Sequence, residues 1–174
     1  LQSDGKIIIV GSFTTFNNSP SKYIVRLNPD GTKDTSFNIG TSFNTYVNSN
    51  YPFVSSVQIR PDGKILVGGD LISYNGVYKN SLFLLNSDGT LDNDFTLDST
   101  LGEISISKIK LLPNGKIMLA SQFFSSIKRL NNDGTLDNSF LNTVYLNPAS
   151  NGGGTVLNDF IFQPDGKIII IGKY

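Results

Sequence analysis

The side chains with the most chemical potential in this chain are its aspartates, and six of them recur in one setting. Asn28-Pro29-Asp30-Gly31-Thr32, Asn86-Ser87-Asp88-Gly89-Thr90 and Asn131-Asn132-Asp133-Gly134-Thr135 share a pattern. Each is followed at fixed offsets by a further aspartate and a phenylalanine: Asp34 and Phe37, Asp92 and Phe95, Asp137 and Phe140. Oxygen donors alternating around a glycine, such as Asn28, Asp30 and Asp34 or Asn86, Asp88 and Asp92, could belong to a calcium loop. Calcium takes about six to eight oxygens, usually including a bidentate carboxylate, whereas this loop is short and brings no glutamate. A hairpin turn whose polar side chains bond to one another and to the backbone is the simpler reading.

Other chemistry is narrow. The sequence contains no His and no Cys, which excludes a Ser-His-Asp triad, a Cys-His dyad and the usual zinc and copper sites. Two carboxylates facing each other across a pocket would be needed for glycoside hydrolysis. The only glutamate is Glu103, and nearly all aspartates lie in turns or at the recurring position after the second turn. The expectation is a non-enzyme without cofactor or metal. Arg26 and Arg129 stand at equivalent positions, each within reach of Asp34 or Asp137, and suit an ion pair. Leu84 replaces the arginine in the middle copy while Asp92 remains, so Asp92 is expected to accept a backbone N–H within the turn. Lys and Arg balance Asp and Glu to a formal net charge of zero and are scattered, so neither nucleic acid nor an anionic membrane is an expected partner. No stretch has the length and apolarity of a membrane-spanning helix, and membrane insertion is not expected.

The elements that must carry these residues are short strands. Val57 and Ile59 alternate with Gln58 and Arg60, the period of a half-buried strand. Pro61-Asp62-Gly63 turns the chain, because proline presets φ, aspartate tolerates the turn interior and glycine takes the positive φ of a type I turn with a bulge. Ile65-Leu66-Val67 and Leu82-Phe83-Leu84-Leu85 are apolar without alternation, as strands covered on both faces are. Between them Gly68-Gly69 leaves room for another backbone to approach. Leu91 to Phe95, polar apart from its ends, suits a fourth strand at a sheet edge.

Laid along the chain, this unit repeats. The first turn recurs as Ser3-Asp4-Gly5-Lys6, Pro61-Asp62-Gly63-Lys64, Pro113-Asn114-Gly115-Lys116 and Pro164-Asp165-Gly166-Lys167. The second turn holds Asp30-Gly31, Asp88-Gly89 and Asp133-Gly134. Four-stranded antiparallel units repeating at about 50 residues predict an all-β fold of β-propeller-type tandem blades. Residues 1–37 form a blade lacking its first strand, 54–95 and 104–140 complete blades, and 156–174 a half blade. An open arc of stacked sheets or a β-solenoid are the alternatives, though solenoid coils are usually shorter and lack two hairpin turns per repeat. Both ends fall inside repeats, which suggests an excerpt from a longer array. Ring closure would then need the remaining blades of the same polypeptide or self-association.

Gln163 to Ile168 (Gln-Pro-Asp-Gly-Lys-Ile) and Arg26 to Phe37 (Arg-Leu-Asn-Pro-Asp-Gly-Thr, then Asp-Thr-Ser-Phe) resemble the delta-60 repeat family, and the likeness extends over essentially the whole chain. That family comprises propeller-like repeats of bacterial and phage proteins, many of them large and surface-exposed. The resemblance implies a fold and an extracellular, cell-surface or virion-surface context. It implies no catalytic residues.

In an up-down blade the two invariant turns share one face, and the connections that differ between copies share the other. Those connections include Asn38 to Phe53 and Leu141 to Val156, long and rich in Tyr and Asn, against the short Thr96 to Glu103. Function generally resides in variable loops on a rigid scaffold. The ligand-binding candidates are therefore Phe16, Tyr46, Tyr51, Tyr74, Tyr78 and Tyr145, aromatics able to stack on and hydrogen-bond a protein or glycan surface. Phe16 and Tyr74 occupy the same place in successive copies and serve either as a platform or as a plug against their own blade; the long loops are either recognition surfaces or spacers. The expected function is a non-catalytic structural or interaction module. A lectin-like glycan-binding domain is the alternative, and a propeller enzyme with catalytic groups outside this stretch the second.

Overall fold

The Asp-Gly turns close antiparallel hairpins throughout a computed structural model that describes residues 1–45, 53–102, 104–121, 127–140 and 156–173. In the first blade β1 (Ile7–Val10) pairs with β4 (Ile24–Leu27), and a small hairpin of β2 (Thr15–Phe16) and β3 (Ser19–Pro20) lies between them. A short β5 (Phe43–Asn44) leads to the second blade, where β6 (Val54–Ile59), β7 (Ile65–Gly69) and β10 (Leu82–Leu85) form a sheet in that order. Its inserted hairpin, β8 (Ser73–Tyr74) and β9 (Val77–Tyr78), takes β5 as a third strand. A 3₁₀ turn at Ser99–Leu101 precedes the third sheet, β11 (Ile106–Leu111), β12 (Ile117–Ser121) and β13 (Ile127–Leu130). The last pair is β14 (Val156–Phe162) with β15 (Ile168–Lys173). The fold is all-β, with propeller blades in tandem.

The first turn has the expected geometry. Gly63 N–H donates to Arg60 O at 2.9 Å, Arg60 N–H donates back to Lys64 O at 2.8 Å, and Gly63 sits at φ +81°. The fourth strand differs from expectation. It is reduced to one bridging pair per blade, Leu27 with Lys33, Leu85 with Leu91 and Leu130 with Leu136. One further rung follows, from Asp34, Asp92 or Asp137 N–H to the strand opposite. Each aspartate then accepts the N–H two residues ahead (Ser36, Asp94 or Ser139) and curls the chain away from the ladder.

Burial explains the continuous apolar runs. Ile65, Val67, Phe83 and Leu85 face the first blade, packing with Ile24, Phe37 and Phe43. Leu66, Leu82 and Leu84 point the other way, into a cluster with Ile106, Ile109, Ile117 and Leu119 of the third blade. A third cluster joins Met118, Ala120 and Ile127 to Leu157 and Phe160. The core therefore lies between blades, and each sheet is sealed by its neighbours.

Three devices fix that spacing. The inner strands β6, β11 and β14 each carry a register shift at the same place, around Ser55, Ser107 and Asn158. The two serines use it to donate their hydroxyls to the next inner strand, Ser55 to Ile106 O and Ser107 to Leu157 O. Gly68 is approached by side chains rather than by backbone, since a Cβ there would lie 2.8 Å from Ile109 Cδ1. At Gly69 the neighbour is backbone, with Phe53 O at 2.2 Å from such a Cβ. Finally, the segments after Phe37 and Phe95 latch onto the next blade's second turn: Asn38 N–H donates to Asp88 O at 2.8 Å, and Asp98 N–H to Gly134 O at 3.1 Å.

The two turn glycines of the second blade therefore differ in cost. A Cβ on Gly63 would be 3.9 Å from Ser87 Cβ, whereas one on Gly89 (φ +93°) would meet Asn38 O at 2.8 Å and the Phe37 ring at 3.1 Å. Gly63→Ala should destabilise by about 1 kcal/mol, from positive φ alone, and Gly89→Ala by about 3 kcal/mol, from φ plus displacement of the latch. Urea denaturation of both variants checks this, and equal losses would refute the latch.

Candidate functional site

The aspartate after the second turn is the hub of a small electrostatic clamp that recurs in three blades. Asp34 Oδ1 accepts from Ser36 N–H at 2.9 Å and Ser36 Oγ at 2.7 Å. Its Oδ2 receives Arg26 Nε at 2.7 Å and Lys6 Nζ at 2.9 Å. Asp137 repeats the set with Ser139, Arg129 Nε at 2.6 Å and Lys116 Nζ at 2.6 Å. Arg26 lies over the Phe37 ring at 4.6 Å and Arg129 over Phe140 at 4.7 Å, so each guanidinium is held by charge and by a ring face. The lysine, supplied by the first turn at the head of strands β1 and β12, is the partner that sequence reasoning missed. The signal was the Lys that follows the glycine of every first turn, Lys6, Lys64, Lys116 and Lys167.

The middle clamp is rebuilt around Leu84. Asp92 Oδ1 accepts from Asp94 N–H at 2.9 Å and Phe95 N–H at 3.4 Å, the turn role expected of it, while Lys64 Nζ stands 2.5 Å from Oδ2. All three carboxylates are held below the usual aspartate range. For Asp34, burial pushes the pKa upward but is outweighed by bonds from Ser36, Lys6 and Arg26. The cause at Asp137 is chiefly the Lys116 ammonium, then Ser139, and at Asp92 chiefly Lys64. Such groups stay ionised and saturated with donors, which suits a structural anchor better than proton transfer.

The oxygens of the Asn-x-Asp-Gly-Thr turns are engaged locally as well. Asn28 Nδ2 donates to Thr32 Oγ1 at 2.9 Å, and the Thr32 hydroxyl donates to Asp30 Oδ1 at 2.7 Å. Asn86, Thr90 and Asp88, and Asn131, Thr135 and Asp133, repeat this. First-turn residues Asp4, Asp62, Asn114 and Asp165 accept from the N–H two residues on. Gly5, Gly31, Gly63, Gly89, Gly115, Gly134 and Gly166 all have positive φ. Among the described residues no group of three or more His, Cys, Asp or Glu could hold a metal ion.

Inserted hairpins connect β1 to β4 and β7 to β10. Their tips, Asn17-Asn18 and Asn75-Gly76, have two successive positive φ values, the two-residue turn that Asn-Gly signals. Tyr74 is a correction: it is fully buried against Phe43 (4.6 Å between centroids) and near Phe83, and its hydroxyl donates to Gly89 O at 2.6 Å. It plugs the core and offers no face to a ligand. Phe43, placed in a variable loop by sequence, is fully buried for the same reason. Phe16 is half-buried. Tyr78 is 64% exposed beside exposed Val77, while Lys79 Nζ ties its hairpin to Phe95 O at 2.5 Å. Tyr46, Tyr51 and Tyr145 lie outside the described residues.

The profile of the family described as "Domain of unknown function (DUF5122) beta-propeller" matches residues 2–37, 60–95 and 112–140. The chain belongs to this β-propeller family. Comparison with curated proteins gives no match. Each matched segment of the propeller contains one whole clamp, from the first-turn lysine to the phenylalanine. The long connections around Tyr46, Tyr51 and Tyr145 fall between or beyond the matched segments.

Because the clamp carboxylates have lowered folded-state pKa values, their stabilisation is complete above the unfolded aspartate pKa of about 4 and is lost as pH falls through the folded values. The melting temperature should therefore drop steeply below about pH 4. In the triple variant Asp34→Asn, Asp92→Asn, Asp137→Asn it should be lower at pH 7 and fall less on acidification. Parallel pH profiles for the two proteins would refute the clamp's role.

Proposed function

We propose that the chain is a non-catalytic interaction module, a β-propeller segment of a larger bacterial or phage surface protein, which contacts another protein through its hairpin face. One observation carries the reading: the chemically capable side chains are consumed by turns and clamps, while the copies diverge in their inserted hairpins and long connections. There Tyr78 and Val77 project from a hairpin anchored to the core by Tyr74. The resemblance of Gln163 to Ile168 and Arg26 to Phe37 to delta-60 repeats supports the extracellular, cell-surface or virion-surface setting.

The flanks of the array belong to the same proposal. Ile7 and Ile9 are each 38% exposed on one outer sheet, and Ile161, Ile169 and Ile171 are 46%, 41% and 53% exposed on the other. The equivalents of the first pair, Ile65 and Val67, are fully buried against the preceding blade. A further blade on each side, from the same polypeptide or a second copy, would cover these residues. Glycan recognition is the second reading, supported by the exposed Tyr78 ring, since a flat aromatic with a hydroxyl can stack on and hydrogen-bond a sugar.

The test is attachment of the purified protein to cells and to a glycan array, before and after combined Tyr46→Ala, Tyr51→Ala and Tyr78→Ala. Tyr74 is left intact because its loss would report on the core. Lost attachment with an unchanged melting temperature is expected, and retained attachment would overturn binding through this face. Binding to the glycan array would favour the second reading over the first.

A further inference from the structure

We propose that the cleft between the second and third blades, on the face of the invariant turns, is a binding site for a guanidinium group, the arginine side chain of a partner protein. The argument comes from comparing the three clamps. In the first, the Arg26 guanidinium meets Asp34, Ser36 Oγ (3.4 Å), the Ser87 carbonyl of the next blade and the Phe37 ring. In the third, Arg129 meets Asp137, Ser139 Oγ (3.2 Å) and the Phe140 ring. The second keeps the carboxylate, the backbone carbonyl and the ring, has Asp94 in place of the serine, and lacks the guanidinium itself. Asp92 stands for Asp34, Asn132 for Ser87 and Phe95 for Phe37, but Leu84 replaces the arginine.

What remains is a cleft of about 390 Å³ lined by Leu84, Asp92, Asp94, Phe95, Asn132 and Asp133, with Arg60 and Lys64 at its wall. Its charge has changed in the direction that calls for a cation. Asp94 occupies the position of Ser36 and Ser139, so this blade has lost one positive charge and gained one negative. The lining holds three carboxylates and two bases, and the Lys79 ammonium bonds the Asp92 and Phe95 carbonyls beside them. Arg60 compensates in part: its Nη1 reaches Asn132 O at 3.3 Å while its Nη2 lies 3.3 Å from Asp62 Oδ2. The cleft is open with Arg60 in that place. A planar guanidinium fits a carboxylate, a backbone carbonyl and a ring face together, which a compact ammonium does not.

The probe is N-acetyl-arginine amide, titrated into the isotope-labelled protein while backbone amide shifts are followed, with the uncharged N-acetyl-citrulline amide as control. The arginine compound should give saturable shifts in the millimolar range at Asp94, Phe95 and Asn132, and the citrulline compound none. Leu84→Arg, which restores the residue of the neighbouring blades, should abolish the response. Asp94→Ser, also drawn from those blades, should weaken it several-fold. No saturable shift, an equal response to citrulline, or a response surviving Leu84→Arg would overturn the proposal.

Discussion

A three-stranded sheet with apolar side chains on both faces cannot bury itself, and the rest of this structure follows from that constraint. Ile65 and Val67 on one face of β7, and Leu66 on the other, need a sheet packed on each side. Burying such side chains contributes about 1.5–3 kcal/mol each, which is the main force holding consecutive blades face to face. The repeat is thereby also the unit of assembly, because every added blade covers the exposed face of the one before.

Polar groups then set the spacing that the apolar faces leave undetermined. The bulges at Ser55 and Ser107 turn a hydroxyl toward the next inner strand. The backbone after Phe37 and Phe95 bonds to the following turn at Asp88 and Gly134. Within a blade, each clamp fastens the first turn to the end of the sheet through one carboxylate. That geometry leaves the aspartates engaged by several donors each, and so separates stiff, chemically quiet turns from inserted hairpins that differ between copies. Leu84 is the exception among the clamps, and with Asp92, Asp94 and Phe95 it lines a cleft between two blades.

Much of this was legible in order of locality. The seven recurring blade turns are each encoded within about five residues by φ preference and side-chain bonding, and all seven carry their glycine at positive φ. The ion pairs of Arg26 and Arg129 were legible because the two partners lie eight residues apart across one hairpin. The lysines of the clamps were not, since Lys64 meets Asp92 across 28 residues of chain. The fourth strand was overread: Leu91 to Phe95 has strand-like ends, but the Asp92 carboxylate competes for the N–H groups that a ladder would use.

The repeat, the turn positions, the all-β architecture and the two-sided burial of β7 and β10 are written in local sequence, because each depends on residues adjacent along the chain. Tertiary structure alone decided that Tyr74 and Phe43 serve the core, that the bulged serines join one blade to the next, and that the Leu84 substitution leaves a charged cleft. In each case the deciding contact is with a residue tens of positions away, and its existence depends on how two blades are spaced rather than on either segment's own preference.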